Sequence, residues 1–173
     1  MMHDLFERSI GLAGGRHFIK YIAKPLGHMK LKGERTLEFG NSGMSARLAA
    51  GFGALIEVVP EREKADSHEN CKLLCAHSPG KKYALVFSDC LLQKYSELQR
   101  DVLVKRMVEL CEQNGHLLVV VPKESHFAHI PRMLTGHAGI KHQELNWLLE
   151  RNGLKLERSI EGMRFISVLG RKM

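Results

Sequence analysis

Short apolar runs, set apart by glycine, proline and charged stretches, divide this chain into alternating strands and helices. The segment TLEFGNSGMSARLA, Thr36 to Ala49, reads as a strand, a glycine-bearing turn and the first turns of a helix. ALIEVV, Ala54 to Val59, is apolar throughout except at Glu57 and is stopped by Pro60, which predicts a second strand. The charged EREKADSHEN, Glu61 to Asn70, predicts a short exposed helix, and KLLCA, Lys72 to Ala76, a third strand. SPGKK supplies the chemistry of a reversal before YALVFSD, Tyr83 to Asp89, the fourth strand. From Glu97 to Asn114 apolar residues recur at three- and four-residue steps, and Gly115 stands where a helix C-terminus favours glycine. HLLVVVP is a fully buried fifth strand, and His142 to Arg151 is a further helix that ends at Asn152-Gly153. LKLERSI and MRFISVLG close the chain as two strands around Glu161-Gly162, a turn suited to an antiparallel hairpin. Upstream, helical spacing from Asp4 to Leu31, interrupted at Gly14, Gly15 and Pro25, predicts two short helices.

Strands that are apolar on both faces and alternate with helices require an α/β fold. The expectation is a doubly wound, mostly parallel sheet with helices on both faces and an antiparallel hairpin at its C-terminal edge. With 173 residues the chain fits one domain, residues 1–173, with the helical segment 1–33 packed on it. An apolar share of 44% is that of a soluble globule, and no apolar run approaches the roughly 20 residues that span a bilayer. The N-terminus carries acids and lacks the long apolar core of a secretory signal, so the cytoplasm is the expected compartment, without a membrane partner.

The four cysteines form no CxxC pair, and their apolar surroundings predict buried small hydrophobes. Among ten histidines, His126, His129, His137 and His142 cluster in sequence, but HxxH fixes only two ligands and no nearby pattern supplies the rest, so no metal site is predicted. The net charge of +7 favours acidic partners, nucleic acid included. The basic residues are scattered and no nucleic-acid motif accompanies them, so a solvated basic surface is the preferred reading.

The chemistry concentrates at strand ends. Gly40 lets the backbone turn where a side chain would clash, Gly43 allows a ligand close to the main chain, and the following helix offers unpaired N–H groups. Glu38 is placed to accept a hydrogen bond from a cationic or hydroxyl-bearing ligand. Ser88, Asp89 and Cys90 fall at the C-terminal end of the fourth strand, on the crevice side of an open α/β sheet. Asp89 reads equally as a group that orients or deprotonates a substrate and as a helix cap, whereas Cys90 reads as core. Glu124, His126 and His129 follow Pro122 in a loop suited to a substrate lid, with His126 the candidate base. Met133, Leu134 and Trp147 read as packing residues, with an apolar pocket wall the alternative for Trp147, and Tyr21 and His28 precede the first strand.

From about residue 18 to 171 the order of elements resembles the class I S-adenosylmethionine-dependent methyltransferases, a Rossmann-like family. Glu38, Gly40 and Gly43 resemble its first motif, although Ser42 stands where a further glycine is usual. Pro122, after NGHLLVVV, is similar to a late motif, and Lys141 to Arg158 to the helix and sixth strand that follow. The resemblance implies S-adenosylmethionine as cofactor, held by Glu38, Gly40, Asn41, Ser42, Gly43 and Ser88. Glu61, just beyond the second strand, takes the place of the family's ribose acid, and Ala76 and His77 that of the acid after the third strand. Asp89 and His126 are then the catalytic candidates, and the short link from the third to the fourth strand implies a missing helix. The activity implied is methyl transfer to a small-molecule or macromolecular acceptor. The alternatives are an inactive methyltransferase-like binding or scaffold subunit, and a basic nucleic-acid binder on the same fold. Self-association, or a partner subunit that supplies a cap, is compatible with so small a domain.

Overall fold

The structure, a computed structural model, describes residues 15–40, 44–62, 66–77, 79–124 and 139–173. Its elements are α1 (Gly15–Leu26), β1 (Arg35–Phe39), α2 (Met44–Gly51), β2 (Leu55–Val59), α3 (Ser67–His77), β3 (Tyr83–Asp89), α4 (Glu97–Leu110), β4 (Cys111–Pro122), α5 (His142–Arg151), β5 (Leu154–Glu161) and β6 (Phe165–Lys172). A single 3-10 turn, Leu92–Lys94, joins β3 to α4. The six strands form one sheet in the order β2-β1-β3-β4-β6-β5. β2, β1, β3 and β4 are parallel, and β6 and β5 complete the sheet antiparallel, as the apolar runs and the hairpin turn predict.

Successive side chains of the central strands enter two different cores. Leu37, Phe39, Val86, Val119 and Val121 join Leu74, Leu103, Met107 and Leu149 on the side of α3, α4 and α5. Leu85, Phe87, Leu118 and Val120 join Ile22, Leu26 and Ala49 on the side of α1 and α2. The sheet is thus covered on both faces, and its topological switch falls between β1 and β3, whose chain connections run in opposite directions across it.

Lys72 to Ala76 is not a strand. Residues from Ser67 to His77 form the single helix α3, which buries Ser67, Asn70 and Leu74 along one side. Asp66 Oδ1 accepts the Glu69 N–H at 2.9 Å and starts the helix. The helix expected over Glu61 to Asn70 and the strand after it are therefore one helical element, and among the described residues nothing pairs with the outer edge of β2. Leu55 and Val58 on that edge are 59% and 43% exposed.

Two further boundaries differ from the sequence pattern. α4 stops at Leu110, because Cys111 is already extended and pairs with Tyr83. Gly115 is required by close approach, since a Cβ there would stand 3.0 Å from the Tyr83 carbonyl oxygen, and not by a helix end. Pro25 does not split α1, which continues to Leu26. Proline removes the N–H that would reach the Tyr21 carbonyl, and Ser167 Oγ on β6 donates to that oxygen at 2.6 Å instead. The substitution of one donor for another holds α1 on the sheet. Tyr21 also meets Phe165, ring centroids 5.9 Å apart, and its hydroxyl lies against Gly162, where no Cβ fits.

Candidate functional site

In an open α/β sheet the ligand crevice lies beyond the carboxyl ends of the strands at the switch point. Here that is the space beyond Phe39 and Asp89, which end β1 and β3. Gly40 follows β1 with φ 149°, a conformation that side chains rarely adopt. A Cβ there would lie 3.6 Å from the Asp89 carbonyl oxygen, an ordinary contact, so backbone conformation and not space is what demands glycine. The two strand ends meet at this point. Glu38 is fully buried, and its Oε2 accepts the Ala46 N–H in the first turn of α2 at 2.7 Å. The carboxylate pins the helix that follows the glycine turn and complements the positive end of its dipole. Asn41, Ser42 and Gly43, expected to complete this turn, lie outside the described residues.

Glu61, just past β2, is buried and strongly engaged. Lys94 Nζ lies 2.7 Å from its Oε2, and Tyr95 donates its hydroxyl to Oε1 at 2.7 Å. Asn70 of α3 donates Nδ2 to the Tyr95 oxygen at 2.8 Å and accepts the Arg62 N–H at 3.1 Å. Burial, reinforced by the Glu61 charge, pushes the Tyr95 phenol up, so it stays protonated as the donor. The segment after β2 is thereby tied to the turn after β3. Glu61 stands at the crevice end of the sheet, as expected, but both of its oxygens serve this network.

At the end of β3, Ser88 and Asp89 are buried. Ser88 Oγ has no hydrogen-bond partner among the described residues. Asp89 is not the cap of α4. Ser96 holds that place, and its N–H donates to Gln99 Oε1 at 3.1 Å. Cys90 has φ 48° and donates its N–H to the Val120 carbonyl at 2.8 Å. Burial first, and then the Asp89 charge, pushes its thiol up, so it is a neutral side chain and not a nucleophile. Cys111 is buried as expected, whereas Cys75 is exposed.

Ala76 and His77 are placed elsewhere. They end α3 at the opposite end of the sheet, where His77 Nε2 lies 3.8 Å from Glu57 Oε2. Glu57 also binds Arg35 at the start of β1 and Lys81 and Tyr83 at the start of β3. Their assignment to the crevice fails because the strand it rested on is a helix running back toward the amino ends of the strands. His126 and His129 lie outside the described residues, as do Met133 and Leu134. His142 pairs through Nδ1 with Glu161 at 2.7 Å and through Nε2 with Ser159. Trp147 is exposed on α5 beneath the Arg151 guanidinium, 4.0 Å from the ring centroid. Lys94, Tyr95 and Asn70 were not legible as site residues, because their partners are separated from them by 25 to 34 positions in the chain.

No protein-family model matches the sequence, and no curated protein matches it. Solved structures do match. The chain is similar to a SAM-dependent methyltransferase from Archaeoglobus fulgidus, with TM-score 0.71 and 14% identity over 97% of this chain and 99% of that one. It is similar to the pyocyanin biosynthetic protein PhzM, with TM-score 0.69 and 13% identity over 97% of this chain, but it spans only 62% of PhzM. It also resembles the 1,6-didemethyltoxoflavin-N1-methyltransferase of Burkholderia thailandensis, with TM-score 0.67, 14% identity and coverage of 98% and 83%; that protein was solved with bound 1,6-didemethyltoxoflavin and S-adenosylhomocysteine. The chain thus has the Rossmann-like fold of class I S-adenosylmethionine-dependent methyltransferases, with its terminal antiparallel strands.

Proposed function

We propose that this chain binds S-adenosylmethionine at the β1–β3 crevice and transfers its methyl group to an acceptor. The observation that carries the proposal is the meeting of Gly40, φ 149°, with Asp89 at the switch point, beside a buried Glu38 that pins the next helix. The residues present fit the cofactor at this turn. Gly40 keeps side-chain bulk away from the strand ends, and the buried Ser88 Oγ, without a partner among the described residues, is a polar group suited to a ligand. When bound, S-adenosylmethionine supplies an electrophilic methyl on a sulfonium, so the protein's task is placement and exclusion of water. Asp89, at the crevice end of β3, is the group suited to orient an acceptor or hold its proton. Glu61 acts as a positioning residue for the loops after β2 and β3. Several of the similar structures contain S-adenosylmethionine or S-adenosylhomocysteine, which supports the choice of cofactor.

A thermal-unfolding titration tests this. S-adenosylhomocysteine at a hundredfold excess over its dissociation constant should stabilise the wild type by about 2.7 kcal/mol and leave Gly40→Arg unmoved. Equal behaviour of the two proteins would count against the crevice.

A second reading, an inactive methyltransferase-like scaffold subunit, is favoured by one feature. The residue at the expected ribose-acid position spends its carboxylate on Lys94 and Tyr95. Cofactor-dependent methylation of any acceptor by the purified chain, lost in Gly40→Arg, would remove that reading.

A further inference from the structure

α1 crosses the sheet over β6 and β4 but stops short of the edge strand β5. Among the described residues no helix covers β5 on that side of the sheet, and a groove of about 760 Å³ runs between the two elements. Its floor is Glu157, Arg158 and Ile160 of β5, and its wall is Lys24 and His28 with the small residues Ala23 and Gly27. A second cavity of about 400 Å³ continues it toward the amino ends of the strands and shares His28, Glu157 and Arg158 with it. The two adjoin at those three residues.

Charge across the two is uneven. Glu157 is already neutralised, since His116 Nε2 lies 3.1 Å from its Oε2 and Arg171 Nε lies 3.0 Å from its Oε1. Lys24 and Arg158 meet no carboxylate among the described residues. The lower cavity adds Lys30 but also Glu34 and Glu112, so the excess positive charge lies in the upper stretch around Lys24, His28 and Arg158.

We infer that this groove is a docking site for single-stranded nucleic acid, with Lys24 and Arg158 on successive phosphates. A membrane surface is flat and cannot enter a slot between a helix and a strand, whereas a phosphodiester chain can follow it. Ala23 and Gly27 leave room for the backbone, Arg158 offers the planar fork that suits phosphate, and Ile160 gives an apolar surface for a base. The net charge of +7 draws a polyanion toward the chain from any direction, and the groove gives it a place to lie. The site is separate from the cofactor crevice and does not depend on methyl transfer.

Fluorescence anisotropy with a labelled oligouridylate of about twelve nucleotides tests the inference without cofactor present. Neutralising two to three phosphates predicts a log–log salt slope of about −1.4 to −2.1, a loss of about seven- to eighteenfold in affinity between 50 and 200 mM salt. Lys24→Glu with Arg158→Glu should weaken binding by about tenfold or more, while Lys72→Glu on the exposed side of α3 should change it by less than about twofold. Both groove residues are exposed, so melting temperatures should match the wild type, and Lys24→Gln alone repeats the test if they do not. No saturable binding, an equal loss in Lys72→Glu, or displacement of the RNA by millimolar inorganic phosphate would overturn the inference. None of these results bears on cofactor binding, which the Gly40→Arg titration reads independently.

Discussion

Glu57 and Glu61 stand four residues apart on either side of the end of β2, and they do opposite things at opposite ends of one sheet. Glu57 reaches back to the amino ends of the strands, where Arg35, Lys81 and Tyr83 converge on it in partial contact with water. Burial alone would raise its pKa, but hydrogen bonds from Lys81, Arg35 and Tyr83 outweigh that and hold it at about 2. Glu61 faces the carboxyl ends, is shielded from water, and binds Lys94 and Tyr95 in a network that Asn70 extends. The first is an electrostatic clamp on strands that are already hydrogen-bonded to each other. The second ties the segment after β2 to the turn after β3. The same side chain therefore stabilises the scaffold at one end and shapes the crevice at the other, and water decides which interaction carries the larger energy.

The comparison breaks most visibly at the buried end. Glu61→Ala would leave the Lys94 ammonium and the Tyr95 hydroxyl without their acceptor and should cost about 3–5 kcal/mol in denaturant unfolding. A midpoint unchanged from the wild type would mean the network contributes nothing. Ser167→Ala is next in size. It strips the Tyr21 carbonyl of the donor that replaces the missing proline N–H, an expected loss of about 1–3 kcal/mol, and Ser167→Thr should recover part of it. At the open end the effect is smaller. Glu57→Gln should cost no more than about 1 kcal/mol at neutral pH, as half-exposed ion pairs do.

The pH profile separates the two ends further. The carboxyl of Glu57 is held well below its ordinary 4.5, so the unfolded chain takes up the proton first as pH falls. The stability it contributes is complete above about 4.5 and is lost as pH drops toward about 2. Unfolding of the wild type and Glu57→Gln, measured across that interval, should converge at the acid end. Parallel curves would show that the clamp does not titrate as its partners imply.

What could be read in the sequence followed from how local its cause was. Tyr83 to Asp89 is apolar on both faces and flanked by turn chemistry, and β3 occupies those residues. The terminal hairpin and α5 were equally legible, for the same reason. The strand expected at Lys72 to Ala76 failed because a short apolar run fits a buried helix turn as well as a strand. The deciding signal was the Asp66-x-x-Glu69 start four residues before Asn70 and eight before Leu74, a helical N-terminus with a one-sided buried stripe. At the candidate crevice the turn at Gly40 was legible because its backbone geometry is local, and the place of Glu38 because it sits in β1 beside that turn. Its role as the anchor of α2 was not, nor was the commitment of Glu61 to Lys94 and Tyr95, since such pairs form only when distant segments are folded together. Ala76 and His77 inherited the error in the strand.

The most direct test of the crevice is calorimetric titration of the wild type and Gly40→Arg with S-adenosylmethionine and S-adenosylhomocysteine. The account predicts saturable micromolar binding of both ligands to the wild type and none to Gly40→Arg, with the variant still folded. A folded wild type that takes up neither ligand at millimolar concentration would contradict it and leave the fold as a scaffold.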